Sequence, residues 1–258
     1  MKNIIRTTVL SACLAFGVNQ SIFAQESAAT PSSFSPTQVD QLHKIIHDYL
    51  VNNPQVLIEA SQVLQQQQQK KMEASAMAAI AQNKTALFDD STSPTLGNKG
   101  APVTVVEFFD YQCGHCKEMA PIIEKLVSQD KNVYVIFKEL PIFGADSANA
   151  AKAALAASMQ PGKYYAFHNA LLSSQQKLSN DNVMALAQKT GLNMDQLKKD
   201  MQSPAVEKEI RNNFQLAQAL KVMGTPTFVI SNKAHTKFGY IPGATSLDGL
   251  QKQIKSVQ

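Results

Sequence analysis

A chain of 258 residues, 44% of them apolar and 17% charged, can bury one or two substantial cores. The formal net charge of +4 drops to +2 once Lys2 and Arg6 leave with the leader, too little to draw nucleic acid or a membrane surface. Three cysteines are too few for a disulfide-built scaffold.

Met1 to Ala24 has the form of a cleavable export signal: Lys2 and Arg6, an apolar stretch around Val9 to Val18, and Ile22-Phe23-Ala24 at the cleavage point. Leu10-Ser11-Ala12-Cys13 also resembles a lipoprotein cleavage box, whose use would tether the chain to the outer membrane. The apolar stretch before it is short and broken by Arg6, which favours the ordinary signal. Without the leader, Cys113 and Cys116 are the only cysteines, so the pair reads as active rather than as a staple.

Gln25 to Ser33 is small and polar, a linker. Ser35-Pro36-Thr37-Gln38 then predicts a helix start with a capping box. Val39, Leu42, Ile45, Ile46, Tyr49 and Leu50 follow at helical spacing. Asn52-Asn53-Pro54 ends this helix and opens a second, capped by Asn53, running to about Leu87. Gln65 to Gln69 interrupt its apolar stripe, but glutamine is a good helix former and the flanks are helical. Two helices with one apolar face cannot bury it alone, which predicts self-association through residues 35–87; the alternative is packing on the chain's own body.

Asp89 to Gly100 is a boundary loop with a short strand near Thr95-Leu96. The run Val103 to Phe109 is β-branched and aromatic, a strand. Cys113-Gly114-His115-Cys116 follows it and opens a helix to Gln129, and Asn132 to Lys138 returns as a strand. The pair thus lies at the C-terminal end of a strand in a βαβ unit, where open α/β sheets carry their sites. At a helix start the first thiol meets unpaired N–H groups and the positive end of the dipole, which favours the thiolate, the species that attacks disulfides. Zinc would need about four ligands, and no second cysteine pair or close histidine pair completes a set. Haem attachment would need histidine at 117, which is Lys117. No metal is expected. His43 and His47, four apart on a helix, could hold a metal as a pair but read as exposed helix residues, and His168 and His235 have no recognisable partners. Lys138 could lie near Glu107 across the sheet but reads as an ordinary strand lysine, and Met72, Met77, Met184, Met194 and Met201 read as packing rather than a copper box.

Residues 147–223 carry only helical signals, too long for a connection, so an inserted helical subdomain is predicted at about 146–223. A hairpin follows, Thr227 to Ile230 and Thr236 to Ile241, then a helix capped by Ser246. The expected architecture is an α/β fold in three parts: signal 1–24, linker and helical oligomerisation segment 25–90, and an α/β domain 91–258.

The stretch Leu96-Gly97-Asn98-Lys99-Gly100-Ala101-Pro102-Val103-Thr104-Val105-Val106-Glu107-Phe108-Phe109-Asp110-Tyr111-Gln112-Cys113-Gly114-His115-Cys116, with Gly224-Thr225-Pro226-Thr227-Phe228, resembles the DsbA-like thioredoxin-fold family. The N-terminal helices, with Asp48-Tyr49-Leu50-Val51-Asn52-Asn53-Pro54, resemble the extension of its oligomeric ScsC-like and Coxiella/Legionella envelope members. The resemblance implies a thioredoxin-like fold and a periplasmic thiol–disulfide oxidoreductase or isomerase. Its clients would be exported proteins with cysteines, served by a membrane redox partner and by no cofactor beyond the Cys113–Cys116 disulfide. It implies Cys113 as exposed nucleophile, Cys116 as buried resolving thiol, and His115 donating toward the Cys113 sulfur. Glu107 would assist proton movement at Cys116, while Thr225 and a cis Pro226 would hold an extended substrate. Gly114-His115 replaces the Pro-His of the strong oxidants and matches eukaryotic disulfide isomerases. Typical potentials of about −180 against about −120 mV separate these by ~3 kcal/mol. Thr225 before the proline points the same way. A non-catalytic envelope interaction or copper-handling role on the same fold is the competing reading.

Overall fold

The computed structural model describes residues 34–258; the leader, Cys13 and the linker lie outside the described residues. The chain divides at Ser61/Gln62 into two compact units. In the first, α1 spans Pro36–Asn52. Its capping box forms as the sequence predicts: Gln38 N donates to Ser35 Oγ at 3.4 Å and Ser35 N to Gln38 Oε1 at 2.8 Å. Asn53 caps the end of α1, where both its backbone N and its Nδ2 donate to Tyr49 O, at 2.8 and 2.9 Å, and its carbonyl accepts Val56 N at 3.1 Å as α2 begins. No residue of α1 is buried, and Leu42, Ile45, Ile46 and Tyr49 stand exposed.

Helix α2, Gln55–Gln82, carries the glutamine run without a break. It stops at Asn83 rather than at Leu87, where the Asn83 amide takes the Ala79 carbonyl at 2.8 Å and competes with the helical ladder. A short α3, Lys84–Phe88, follows. Ala76, Ile80, Leu87 and Phe88 are buried. The last three join Val106, Phe108, Ile136, Val229, Leu216 and Leu220 in one cluster. The stretch 76–88, expected to belong with the N-terminal helices, thus packs on the α/β unit.

That unit is built on a five-stranded sheet in the order β1-β3-β2-β4-β5, with strands Thr95–Gly97, Val103–Phe109, Val133–Glu139, Thr227–Asn232 and Phe238–Pro242. β2 and β3 are parallel and the other pairs antiparallel. β2 is buried along its whole length because both faces are covered, which is why it reads as an unbroken apolar run. Alternation sends Val103, Val105 and Phe109 into one core and Val106 and Phe108 into the other. Gly97 closes β1 at φ +93°, where a Cβ would stand 2.7 Å from Val133 O, so only glycine fits.

Helix α4, Gly114–Gln129, joins β2 to β3. The predicted helical subdomain is present as α5 Ala145–Ser158, α6 Tyr164–Ser173, α7 Asn180–Lys189, α8 Met194–Asp200 and α9 Pro204–Ala219. α5 lies against all four of the others, and its buried face is alanine: Ala150, Ala151, Ala153, Ala154, Ala156 and Ala157. Alanine has no rotamer freedom to lose and lets neighbours approach closely. The C-terminal α10, Leu247–Val257, is capped by Ser246 as predicted.

Candidate active site

Cys113 is the N-cap of α4, with φ −70° and ψ 119°, one step outside the helix. Its N–H donates to Asp110 O at 3.1 Å, and its carbonyl receives Lys117 N at 3.1 Å. The side chain is therefore held at the helix start, at the C-terminal end of β2. Both cysteines are free thiols. Cys113 is 5% exposed and Cys116, one turn into the helix, 0%. The nucleophile position is thus more enclosed than the sequence suggested, because the loop before Pro226 covers it: the Cys113 thiol donates to Thr225 O at 3.2 Å. The Thr225–Pro226 bond is cis.

Burial pushes the Cys116 thiol well above its ordinary range; a backbone hydrogen bond at Asp110 opposes this, and negative charge at Glu107 and at Cys113 adds to it. Glu107 is 3% exposed. It pairs across the sheet with Phe137 and Phe228, both fully buried, and burial lifts its carboxyl to about 8.

His115 is largely exposed, and its Nδ1 lies 3.0 Å from Glu118 Oε2. Its ring therefore engages Glu118 rather than the sulfur of Cys113. The structure brings Cys113, Cys116, Glu107, Thr225 and Pro226 together and leaves His115 at the rim. Thr225 Oγ1 is buried with no protein partner.

Lys138 is not beside Glu107. In the β2–β3 register it pairs with Phe108, on the opposite face, and is 1% exposed. There it donates to Asp90 Oδ2 at 2.6 Å, with Glu209 Oε1 at 3.9 Å. Burial raises the Asp90 carboxyl, but hydrogen bonds from Lys138 and Thr92 outweigh it and hold the group below its usual range.

His168 does have partners. Tyr111 and Tyr164 hydroxyls lie 3.1 and 3.3 Å from its Nδ1, and both donate to Glu139 Oε1, at 2.8 and 3.1 Å. Burial drives His168 down to about 3 and Glu139 and both tyrosines upward. His235 stacks on Phe88 with centroids 4.2 Å apart. Sequence reading also missed Asp110, whose Oδ1 accepts Gln112 N at 2.7 Å. That two-residue Asx turn was legible in Asp-x-Gln before the cysteine.

Residues 104–255 match the DSBA-like thioredoxin domain, and residues 38–71 match the copper resistance protein ScsC N-terminal domain. The Na(+)/H(+) antiporter NhaA 3 of Salinispora tropica is 29% identical over 141 residues, covering 54% of this chain; the chain thus spans about a fifth, 22%, of that protein's length. Disulfide bond formation protein D of Bacillus subtilis is 28% identical over 175 residues, covering 60% of this chain and 79% of that one. The crystal structure of Salmonella enterica Typhimurium BcfH superposes with a TM-score of 0.73 at 33% identity, covering 86% of this chain and 96% of that one.

Proposed function

Since the chain belongs to the DsbA-like thioredoxin family, we propose that it is a thiol–disulfide oxidoreductase and isomerase acting through Cys113 and Cys116. The observation that carries this reading is Cys113 at the N-cap of α4, its sulfur 3.2 Å from the carbonyl before Pro226, with a fully buried Cys116 one turn on. In the oxidising direction a client thiolate attacks the Cys113 sulfur. The Cys113–Cys116 bond breaks, and Cys116 leaves as a thiolate that takes a proton. Glu107, neutral up to about pH 8, is the buried proton source. A second client thiolate then attacks the mixed disulfide, the client disulfide forms, and Cys113 is released reduced. Two electrons pass from client to protein, with no cofactor needed beyond the cysteine pair. Starting reduced, the Cys113 thiolate attacks a wrong client disulfide and permits reshuffling; Gly114-His115 and Thr225 favour this direction.

Clients are exported proteins with cysteines, a membrane redox partner resets the pair, and the compartment is the periplasm. Among the described residues no helix is long and apolar enough to cross a membrane. We place a homo-oligomer interface in residues 35–87, on the exposed apolar positions of α1 and of α2 as far as Met72. Its support is the wholly unburied α1 and the match of residues 38–71 to the ScsC N-terminal domain. The name of that domain also keeps a copper-handling role as the second reading.

Trapping decides between the two. Cys116→Ala is expected to accumulate mixed disulfides with reducible clients through Cys113, seen on non-reducing gels and by mass spectrometry, whereas Cys113→Ala accumulates none. Equal trapping by both variants overturns the assigned roles. Copper resistance that survives Cys113→Ser would favour the second reading.

A further inference from the structure

Asp110 is a carboxylate 1% exposed at the end of β2, three residues before the nucleophile position. Four donors converge on it. Oδ1 accepts Gln112 N and Ser147 Oγ, each at 2.7 Å; Oδ2 accepts Ile142 N at 2.7 Å and Phe143 N at 3.0 Å. Gln112, the residue directly before Cys113, closes a second link, its Nε2 lying 3.0 Å from Ser147 Oγ and 3.3 Å from Phe143 O.

These bonds tie two loops that are distant in sequence. One carries Cys113. The other, between β3 and α5, carries Ile142 and Phe143, residues 43% and 54% exposed although both are large and apolar. Loop backbone ordinarily meets water; here two successive N–H groups of an exposed loop are spent on a buried charge. The loop is thereby held at a set height beside Cys113 with its apolar side chains outward. Met223, two residues before Thr225, is likewise apolar and 91% exposed.

We propose that Asp110 is a positioning residue for client selection. It fixes the Ile142–Phe143 ledge against the Cys113 loop, so that clients whose cysteine is flanked by apolar residues in an extended segment are attacked in preference to small disulfides. The inference rests on the thiol–disulfide reading above. A segment that brings its cysteine to Cys113 must run along the neighbouring loops, and the ledge offers it apolar area that a small disulfide cannot use. The chemistry of the donors explains why aspartate occupies the position. Four donors need four acceptor lone pairs. Asparagine would turn an NH2 toward two of them, and the longer glutamate would not fit the Asx turn.

The test compares oxidised glutathione with a peptide disulfide bearing leucine or phenylalanine beside its cysteine, on the full chain. Asp110→Asn is expected to lose on the order of tenfold more kcat/KM on the peptide than on glutathione, chiefly through KM. In an Ile142→Ser/Phe143→Ser background the same substitution is expected to add no further selective loss, because its effect runs through the ledge. A residue that only held the fold together would depress both substrates alike and add to the ledge variant. Equal losses, additive losses or no loss each overturn the proposal. If Asp110→Asn fails to fold by circular dichroism, Ser147→Ala removes one of the four donors and must show the same selectivity at smaller size, or the proposal falls. Wild-type protein that exchanges with neither substrate overturns the thiol–disulfide reading and the inference with it. Wild-type exchange that vanishes in Cys113→Ser but shows no ledge dependence overturns the inference alone.

Discussion

Glu107 is a carboxyl in surroundings that penalise charge. Its strand neighbours Phe137 and Phe228 are fully buried, and Lys138 on the adjacent strand is committed to Asp90 on the other face. Burial therefore lifts Glu107 from 4.5 to about 8. The sign for stability follows from proton uptake. Between these values the unfolded chain has lost the proton and the folded chain keeps it, so stability falls as pH rises, by at most ~1.4 kcal/mol per pH unit for one group. Above about pH 8 the loss is complete. Glu107→Gln is expected to remove this slope: close to wild type in urea midpoint at pH 4, and more stable than wild type at pH 8. On the proposed role of Glu107 as proton source, the same variant should slow release of Cys116 from the disulfide. A midpoint difference that does not grow between pH 4 and pH 8 would show that Glu107 is ionised in the folded state. A buried carboxyl that costs stability at neutral pH is what the proposed role of Glu107 as proton source calls for.

At the scale of elements, α5 carries the helical subdomain. Ala150, Ala153 and Ala154 are wholly buried, and four helices close around them. The interhelical space is set by a methyl group, so extra volume has nowhere to go. Ala154→Leu is expected to destabilise the protein by ~1–3 kcal/mol through overpacking, read as a drop in Tm, while Ala148→Leu on the less buried side should be nearly neutral. Equal effects at the two positions would mean that α5 is loosely packed. The same subdomain supplies Tyr164 to Glu139 at the end of β3 and His168 to the Tyr164 hydroxyl, so its alanine packing and the buried polar cluster act together to hold the helices against the sheet ends that carry Cys113.

For the whole molecule, the useful cut is not where the sequence suggested. Residues 76–88 sit in the second core, with Ile80 and Leu87 fully buried against the sheet face of Val106 and Phe108. Removing everything before Gln62 is expected to leave the α/β unit near its full stability and abolish self-association, measured by light scattering and thermal unfolding. Removing everything before Asp89 strips Ile80, Leu87 and Phe88 as well. Their burial is worth roughly 1.5–3 kcal/mol each, so that form should unfold at clearly lower temperature or aggregate through the bared face. If the shorter truncation remains oligomeric, α1 and the start of α2 are not the interface. If it is monomeric yet keeps full activity on scrambled disulfides, oligomerisation is not what drives rearrangement.

Local chemistry decided much of this protein by itself. The capping box at Ser35, the helix start at Cys113, the cap at Ser246, the unbroken glutamine helix and the strands on either side of the cysteine motif depend on residues within a few positions of one another, and their patterns are local. The resemblance of Cys113 to Cys116 and of Thr225-Pro226 to a known family also needed only short words in the right order. Tertiary structure decided what depends on partners far along the chain. It enclosed Cys113 beneath Thr225, turned Lys138 away from Glu107 by a single register position, and found partners for His168 in Tyr111 and Tyr164. It also drew four donors onto Asp110, from the Cys113 loop, the β3–α5 loop and the first turn of α5. The sequence lists donors, acceptors and charges; only packing determines which of them meet and which lose their water, and that choice sets the accessibility and the ionisation on which the chemistry depends.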